Sequence, residues 1–281
     1  MKKHTKVWLI AAVSLILVGG ILFTGVMTML KWNFRKLSSD QYETNTHTVT
    51  DKISHISVNV KTADVVFVPS ADNTVSVVCY ERTEIKHTVT VEEDTLLVQV
   101  SEDLKWYQNL GVHTENVKIT IYLPAGTYGE LKIHATTGDM TVPKDFSFAS
   151  ADVKVTTGDS VFSADVAGDL AVKVTTGDVK LADVSCRNLM ATATTGDVVL
   201  RQVIAAGSFS IHCTTGDVAF DACDAATLTV KTTTGDITGT LLTPKAFDAH
   251  ATPGRVKVPQ TTEGGNCKLR TTTGSIKISL V

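Results

Sequence analysis

The sequence has little with which to do chemistry. It contains no G-x-S-x-G, H-E-x-x-H or P-loop pattern, so the common hydrolase, zinc-protease and nucleotide-binding signatures are missing. Its five cysteines (Cys79, Cys186, Cys213, Cys223 and Cys267) are odd in number and include no C-x-x-C pair. That argues against a metal site and for small buried hydrophobes. Aromatic residues make up only 6% of the chain. Threonine, valine, aspartate and glycine are abundant instead, a mixture suited to strands and tight turns rather than helices. No enzyme, no metal and no cofactor are expected.

Acidic residues are absent from the first 36 positions, which hold six of the 26 basic residues. The rest of the chain therefore carries 20 basic against 29 acidic residues, a net charge of −9. A domain so acidic is a poor nucleic-acid binder, and none is expected as a partner. Residues 7–30 carry no charge at all. At about 1.5 Å per residue such a helix exceeds the roughly 30 Å hydrocarbon core of a bilayer. A cleaved signal peptide is the competing reading. The run is longer than the apolar region of a signal peptide, and no A-x-A site follows it, so an uncleaved anchor is expected. Lys2, Lys3 and Lys6 precede the run, and Lys31, Arg35 and Lys36 follow it. Flanking charge alone therefore does not set the orientation. The reading adopted places residues 1–6 in the cytoplasm, the helix at 7–30, a linker at 31–50 and the bulk outside the cell as a single-pass membrane protein.

What is present in quantity is a repeat. Eight T-T-G-D-like units have glycines at Gly138, Gly158, Gly177, Gly196, Gly216, Gly235, Gly254 and Gly274, spaced 19 or 20 residues apart. A fixed period of this size signals stacked supersecondary units. Seven, five and three residues before each glycine the positions are mostly apolar, as in Leu170, Val172 and Val174. Two and four residues after it they are apolar again, as in Val179 and Leu181. Polar residues stand between. A period of two means strands with one buried face. The fold expected is all-β: a parallel β-solenoid (β-helix) of 19–20-residue coils over 129–281. An Asx-type role is expected for Asp139, Asp159, Asp178, Asp197, Asp217 and Asp236, each accepting amides of its own turn beside the glycine corner.

Upstream, Ile56, Val58, Val60, Val65 and Phe67 fit the same inward columns with Ala63 in place of glycine and Asp64 in place of the repeat aspartate. Residues 51–128 are read as this degenerate first coil plus an inserted antiparallel β cap, with strands at 74–80, 86–91, 95–101 and 116–123. The chain closes on a strand with no evident cap behind it, leaving an edge open to pairing.

These corners, the strand pair around Lys61-Thr62-Ala63-Asp64, the Leu123-Pro124-Ala125-Gly126 segment and the N-terminal apolar run resemble a bacterial β-strand-repeat family of unknown function, known as putative adhesin, over about residues 50–281. The resemblance implies membrane anchoring and, for some members, association with cell-envelope stress systems in Gram-positive bacteria. It defines no catalytic residues. The chain departs from the pattern at Pro253-Gly254-Arg255 and at Ser275, where the aspartate is lost.

Three surface features are candidates for binding. The six aspartates stack in one column, but calcium takes six to eight oxygens and its β-roll repeats are glycine-rich nonapeptides, so turn capping is the better reading. A threonine stands two before every glycine, and the neighbouring outward column holds His134, Lys154, Lys173, Thr192, His212, Lys231, His250 and Arg270. Those charges argue against ice binding. They suit an acidic cell-envelope polymer, or simply form a solvated face. Trp106 and Tyr107, between hairpin strands, either contact a glycan or partner or pack as a lid. The functional expectation is a membrane-anchored bacterial cell-surface binding or structural protein that meets an envelope polymer or a membrane protein. The alternative is an accessory or sensing component of envelope-stress signalling.

Overall fold

The computed structural model describes residues 3–32, 41–101 and 116–281. Helix α1 spans Lys3–Met29, and Trp8–Met29 is long and apolar enough to cross a membrane. It belongs to one compact unit; the β-structure from Tyr42 onward forms the other.

That second unit is all-β and solenoid-like. Each repeat supplies a long strand before its glycine and a short strand after it, as in Phe146–Thr157 and Ser160–Phe162. The long strands pair in parallel with those of neighbouring repeats, for example Val153 with Ile133 on one side and Val172 on the other. The short strands do the same on a second face, Val161 pairing with Thr141 and Lys180. The segment returning to the next long strand pairs as well: Phe148 with Val166, and Cys186 with Ala205. The returns also bury residues, among them Val184, Val203, Cys223 and Ala225, that lie outside the columns read from the sequence. Together the columns make one continuous apolar core, with Phe67, Phe146, Phe148, Phe162 and Phe209 among its largest fully buried side chains. Each buried valine, leucine or phenylalanine contributes about 1.5–3 kcal/mol before the entropy of ordering is subtracted.

The corner glycines from Gly138 to Gly235, together with Gly274, have φ between +131° and +147°. L-residues rarely adopt that backbone. A second constraint acts at the same place: a Cβ on Gly158 would sit on the carbonyl oxygen of Gly138, and one on Gly177 on that of Gly158. Glycine is needed both to turn the chain and to let successive corners stack.

The order of the repeats departs from the sequence. The long strand ending at Thr234 pairs directly with Gly265–Thr273, and Ile237–Leu241 pairs with Ile276–Leu280. The Gly254 repeat lies outside both, through Lys245–Ala251 on Gly265–Thr273 and Val256–Lys257 on Ile276–Leu280. The Gly274 repeat is thus inserted between Gly235 and Gly254. The open edge expected behind the last strand belongs instead to Lys245–Ala251 and Val256–Lys257. The terminal position explains why the Gly254 repeat departs most from the pattern: Val256 there is 40% exposed, whereas Ile237 and Ile276 in the same column are buried.

At the other end, the Ala63 repeat consists of His55–Thr62 and Asp64–Pro69, and it pairs with the Gly138 repeat. Beyond it, Thr95–Val100 and Lys118–Leu123 pair with it in parallel and so extend the stack. Among the described strands only the outermost are antiparallel: His87–Glu92 on one face, Val75–Arg82 and then Tyr42–Val49 on the other. Part of the residues read as linker, Tyr42–Val49, is therefore a strand of the sheet, held along its whole length by Val75–Arg82.

Candidate functional site

The outward column four residues before each corner is assembled by strand register. His134 stands beside Lys154, Lys154 beside Lys173, Lys173 beside Thr192, Thr192 beside His212, and His212 beside Lys231. Because the last two repeats are exchanged, Lys231 meets Arg270, and His250 closes the row. Neighbouring strands lie about 4.8 Å apart, so like charges in this row repel unless something negative lies near. Asn59 and Gln99 continue the row without charge toward the other end.

The charges in the row are not equivalent. Lys154 is 2.5 Å from Asp152, in the next outward position of its own strand. Arg270 is paired with Asp248 of the outermost strand and also donates to the Asp248 carbonyl at 2.7 Å. The hydrogen bond from Arg270, aided by its charge, holds the Asp248 carboxyl below its ordinary pKa. His250 contacts the Thr252 hydroxyl at 3.0 Å. Among the described residues Lys173, His212 and Lys231 form no ion pair. A shallow groove of about 310 Å³ runs over this row, lined by His134, Lys154 and Lys173 and by Thr136, Thr156 and Thr175 of the threonine column. A second of about 200 Å³ adjoins it beside Asn59, Lys132 and Asp152. The site thus offers alternating cations and hydroxyls on rigid strands, a surface that can follow a repeating anionic chain.

The aspartate column does something different from the Asx turn expected of it. Each carboxylate accepts the amide of the aspartate in the next repeat, not of its own turn. Asp139 N–H donates to Asp64 at 2.9 Å, Asp159 to Asp139 at 2.8 Å, Asp178 to Asp159 at 2.9 Å and Asp197 to Asp178 at 2.9 Å. Asp217 donates to Asp197 at 2.8 Å and Asp236 to Asp217 at 2.7 Å. The positive φ of the glycine points the following amide along the stack, where the neighbouring carboxylate waits. The chain of bonds then follows the exchanged order: Ser275 N–H donates to Asp236 at 2.7 Å, and Arg255 N–H to the Ser275 hydroxyl at 3.3 Å. Lys180 lies 3.0 Å from Asp159 and 3.1 Å from Asp178. The Asp178 amide, followed by Lys180, holds Asp159 below the usual carboxylate range. Among the described residues no group of three or more His, Cys, Asp or Glu is placed to hold a metal.

The five cysteines are free and buried. Burial pushes the thiols of Cys79 and Cys267 up to about 12 and that of Cys186 up to about 11, so they are poor nucleophiles. Cys213 has a polar task that the sequence does not suggest. Its thiol lies 3.3 Å from the Gly196 carbonyl, just as the Thr232 and Thr271 hydroxyls donate to the Gly216 and Gly235 carbonyls. Trp106 and Tyr107 lie outside the described residues.

One polar cluster goes beyond the sequence reading. Glu81 is fully buried and accepts from the His87 amide at 2.7 Å and from Asn45 at 2.7 Å; the His87 ring is 2.7 Å from the same carboxylate. Burial raises its pKa, but these bonds outweigh burial, and the carboxyl lies below its ordinary value. The only signal in the sequence is a glutamate breaking the apolar alternation of 75–82, with a histidine six residues on.

A family model, Toastrack DUF4097, matches residues 53–281, and the chain belongs to this family of unknown function. Crystal structures similar in fold include one named a putative adhesin from Bacteroides fragilis. It is 16% identical, with a TM-score of 0.58, over 86% of this chain and 99% of the other. A second, named a putative adhesin from Parabacteroides distasonis, is 11% identical with a TM-score of 0.50, over 86% and 98%. No curated protein matches the chain.

Proposed function

We propose that this Toastrack protein is a membrane-anchored surface protein. Its β-unit, a parallel solenoid of 19–20-residue coils closed at one end by antiparallel strands, binds an anionic cell-envelope polymer along its histidine–lysine–arginine row. The observation that carries this reading is the row itself. His134, Lys154 and Lys173 are brought side by side by parallel register, in a threonine-lined groove of about 310 Å³. A row of fixed cations at strand spacing matches a polymer with regularly repeated phosphates or carboxylates. It does so on a chain whose charge is otherwise acidic, which deters indiscriminate polyanion binding. Binding rather than catalysis is supported by the aspartate column, whose carboxylates are engaged by backbone amides instead of facing a cleft. The apolar helix supports anchoring; the proposed orientation has the N-terminus inside and the bulk of the chain outside the cell. The names of the structural neighbours point to the same surface setting.

The test replaces Lys154, Lys173 and Lys231 together by alanine in the full chain and measures pull-down on purified anionic cell-wall polymer. The expected result is a several-fold loss of binding, and the wild-type interaction weakens as salt is raised. Unchanged retention of the triple variant would sink the proposal. Because Lys154 is partly neutralised by Asp152, Lys173→Ala and Lys231→Ala should each cost more than Lys154→Ala.

A further inference from the structure

The Gly254 repeat ends the stack. Among the described residues Lys245–Ala251 pairs on one side only, with Gly265–Thr273. The Thr252 amide points inward, to the Thr271 carbonyl at 3.3 Å. Amides alternate along a strand, so those of Phe247, Ala249 and Ala251, with their carbonyls, face the open edge. The side chains of these three residues are only half-buried against the core, and nearby Leu242 and Val256 are 41% and 40% exposed. An edge with this much unpaired backbone and apolar surface is a template for another strand.

We propose that this edge pairs with the same edge of a second copy of the chain, antiparallel and two-fold symmetric about Ala249. In that register the residues facing outward toward the partner meet in full: Phe247 opposite Ala251, Ala249 opposite Ala249, and Ala251 opposite Phe247. On the inner side the large Phe247 ring meets a methyl group. On the outer side Asp248 stands opposite His250 of the other copy, and His250 opposite its Asp248. These are the close, non-hydrogen-bonded pairs of an antiparallel ladder, with Cα atoms about 4.5 Å apart. A lone charge on an edge blocks pairing; here each charge finds its opposite, while Asp248 keeps Arg270 on its other side. Shifting the centre to Ala251 would set Pro253, which has no amide, opposite Ala249. Charge and side-chain volume therefore select one register and one occupant, a second copy. The pairing joins two stacks end to end, each His250 facing Asp248 of the other copy.

The experiment uses the full chain. Two single-cysteine variants, Asp248→Cys and His250→Cys, carry different tags and are co-expressed, and membranes are treated with a mild oxidant. The five native cysteines are buried and stay silent. The expected product is a disulfide-linked dimer containing both tags, with neither variant cross-linking to itself, because only 248 and 250 lie opposite. Ala249→Pro deletes one outward amide but no inward one. It should leave folding, followed by circular dichroism, intact and lower the cross-linked fraction at least tenfold when combined with the cysteines. Light scattering in detergent should show twice the 30.1 kDa chain mass for the wild type and a single chain for Ala249→Pro. Absence of the mixed cross-link overturns the proposal. So does a dimer that survives Ala249→Pro, which would point to association through the apolar helix, or equal cross-linking of each variant to itself.

Discussion

At the Ala63 end of the stack the last parallel row is followed by antiparallel strands, His87–Glu92 on one face and Val75–Arg82, then Tyr42–Val49, on the other. At the Gly254 end the row Lys245–Ala251 is followed by no further strand among the described residues. The first end closes its core with a buried glutamate to which a histidine and an asparagine are both bonded. The second leaves Phe247, Ala249 and Ala251 half-covered and ties its return with an ion pair, Lys245 to Asp224 at 2.7 Å. Every repeat unit carries a backbone edge and an apolar face that only a neighbour can satisfy. The sequence changes where neighbours run out, and the direction of the change tells a finished end from an available one.

The largest difference between the ends should appear on breaking their polar ties. Removing a buried acceptor leaves each of its donors unsatisfied at about 1–3 kcal/mol apiece, roughly 3–5 kcal/mol for two or three donors together. Glu81→Ala should reach that range in denaturant unfolding of the full chain in detergent, because it strands His87 and Asn45. The same carboxylate makes the capped end acid-sensitive. Its folded pKa is depressed, so its contribution is complete above the ordinary carboxylate pKa of 4.5 and is lost as the pH falls through the lower folded value. Wild-type stability should drop with acid more steeply than that of Glu81→Gln. Parallel curves for the two proteins would remove Glu81 from the account.

At the open end, Lys245→Ala removes a cation whose side chain is 5% exposed from an aspartate that is 17% exposed. Asp224 keeps the Thr243 hydroxyl and the Ala225 amide, so the expected cost is smaller, about 2 kcal/mol. A cost equal to that of Glu81→Ala would show that the two ends are closed to the same degree.

Much of this architecture is legible in the amino-acid sequence. The inward columns, the corner at Ala63 and the order of the basic residues from His134 to Lys231 follow from a period of two, a period of 19–20 and a stack that keeps register. The exchange of the last two repeats does not follow from those periods, although the sequence holds a trace of it. Ser275 has an oxygen that can accept an amide from a following repeat, and Arg255 has none. A residue that cannot accept fits only where nothing follows. The trace is hidden as long as each aspartate is taken to serve its own turn rather than its neighbour. The return columns are hidden because Val184, Val203 and Cys223 sit in short segments with no visible alternation. The Glu81 cluster is hidden because its members come from three strands that no local pattern connects.

The smallest expected effects test the same contrast within one column. Asp178→Ala removes the acceptor of the Asp197 amide in mid-stack, at a cost of about 1–2 kcal/mol. Arg255→Asp restores the repeat residue at the last corner of the exchanged order. There the new carboxylate has no following amide among the described residues, so unfolding should change by no more than about 0.5 kcal/mol. If the repeats instead stacked in sequence order, residue 255 would stand before the Gly274 corner, and its carboxylate would accept the Ser275 amide. Arg255→Asp would then stabilise the chain by about 1 kcal/mol. Whether that stabilisation appears reads the stacking order of the last two repeats directly.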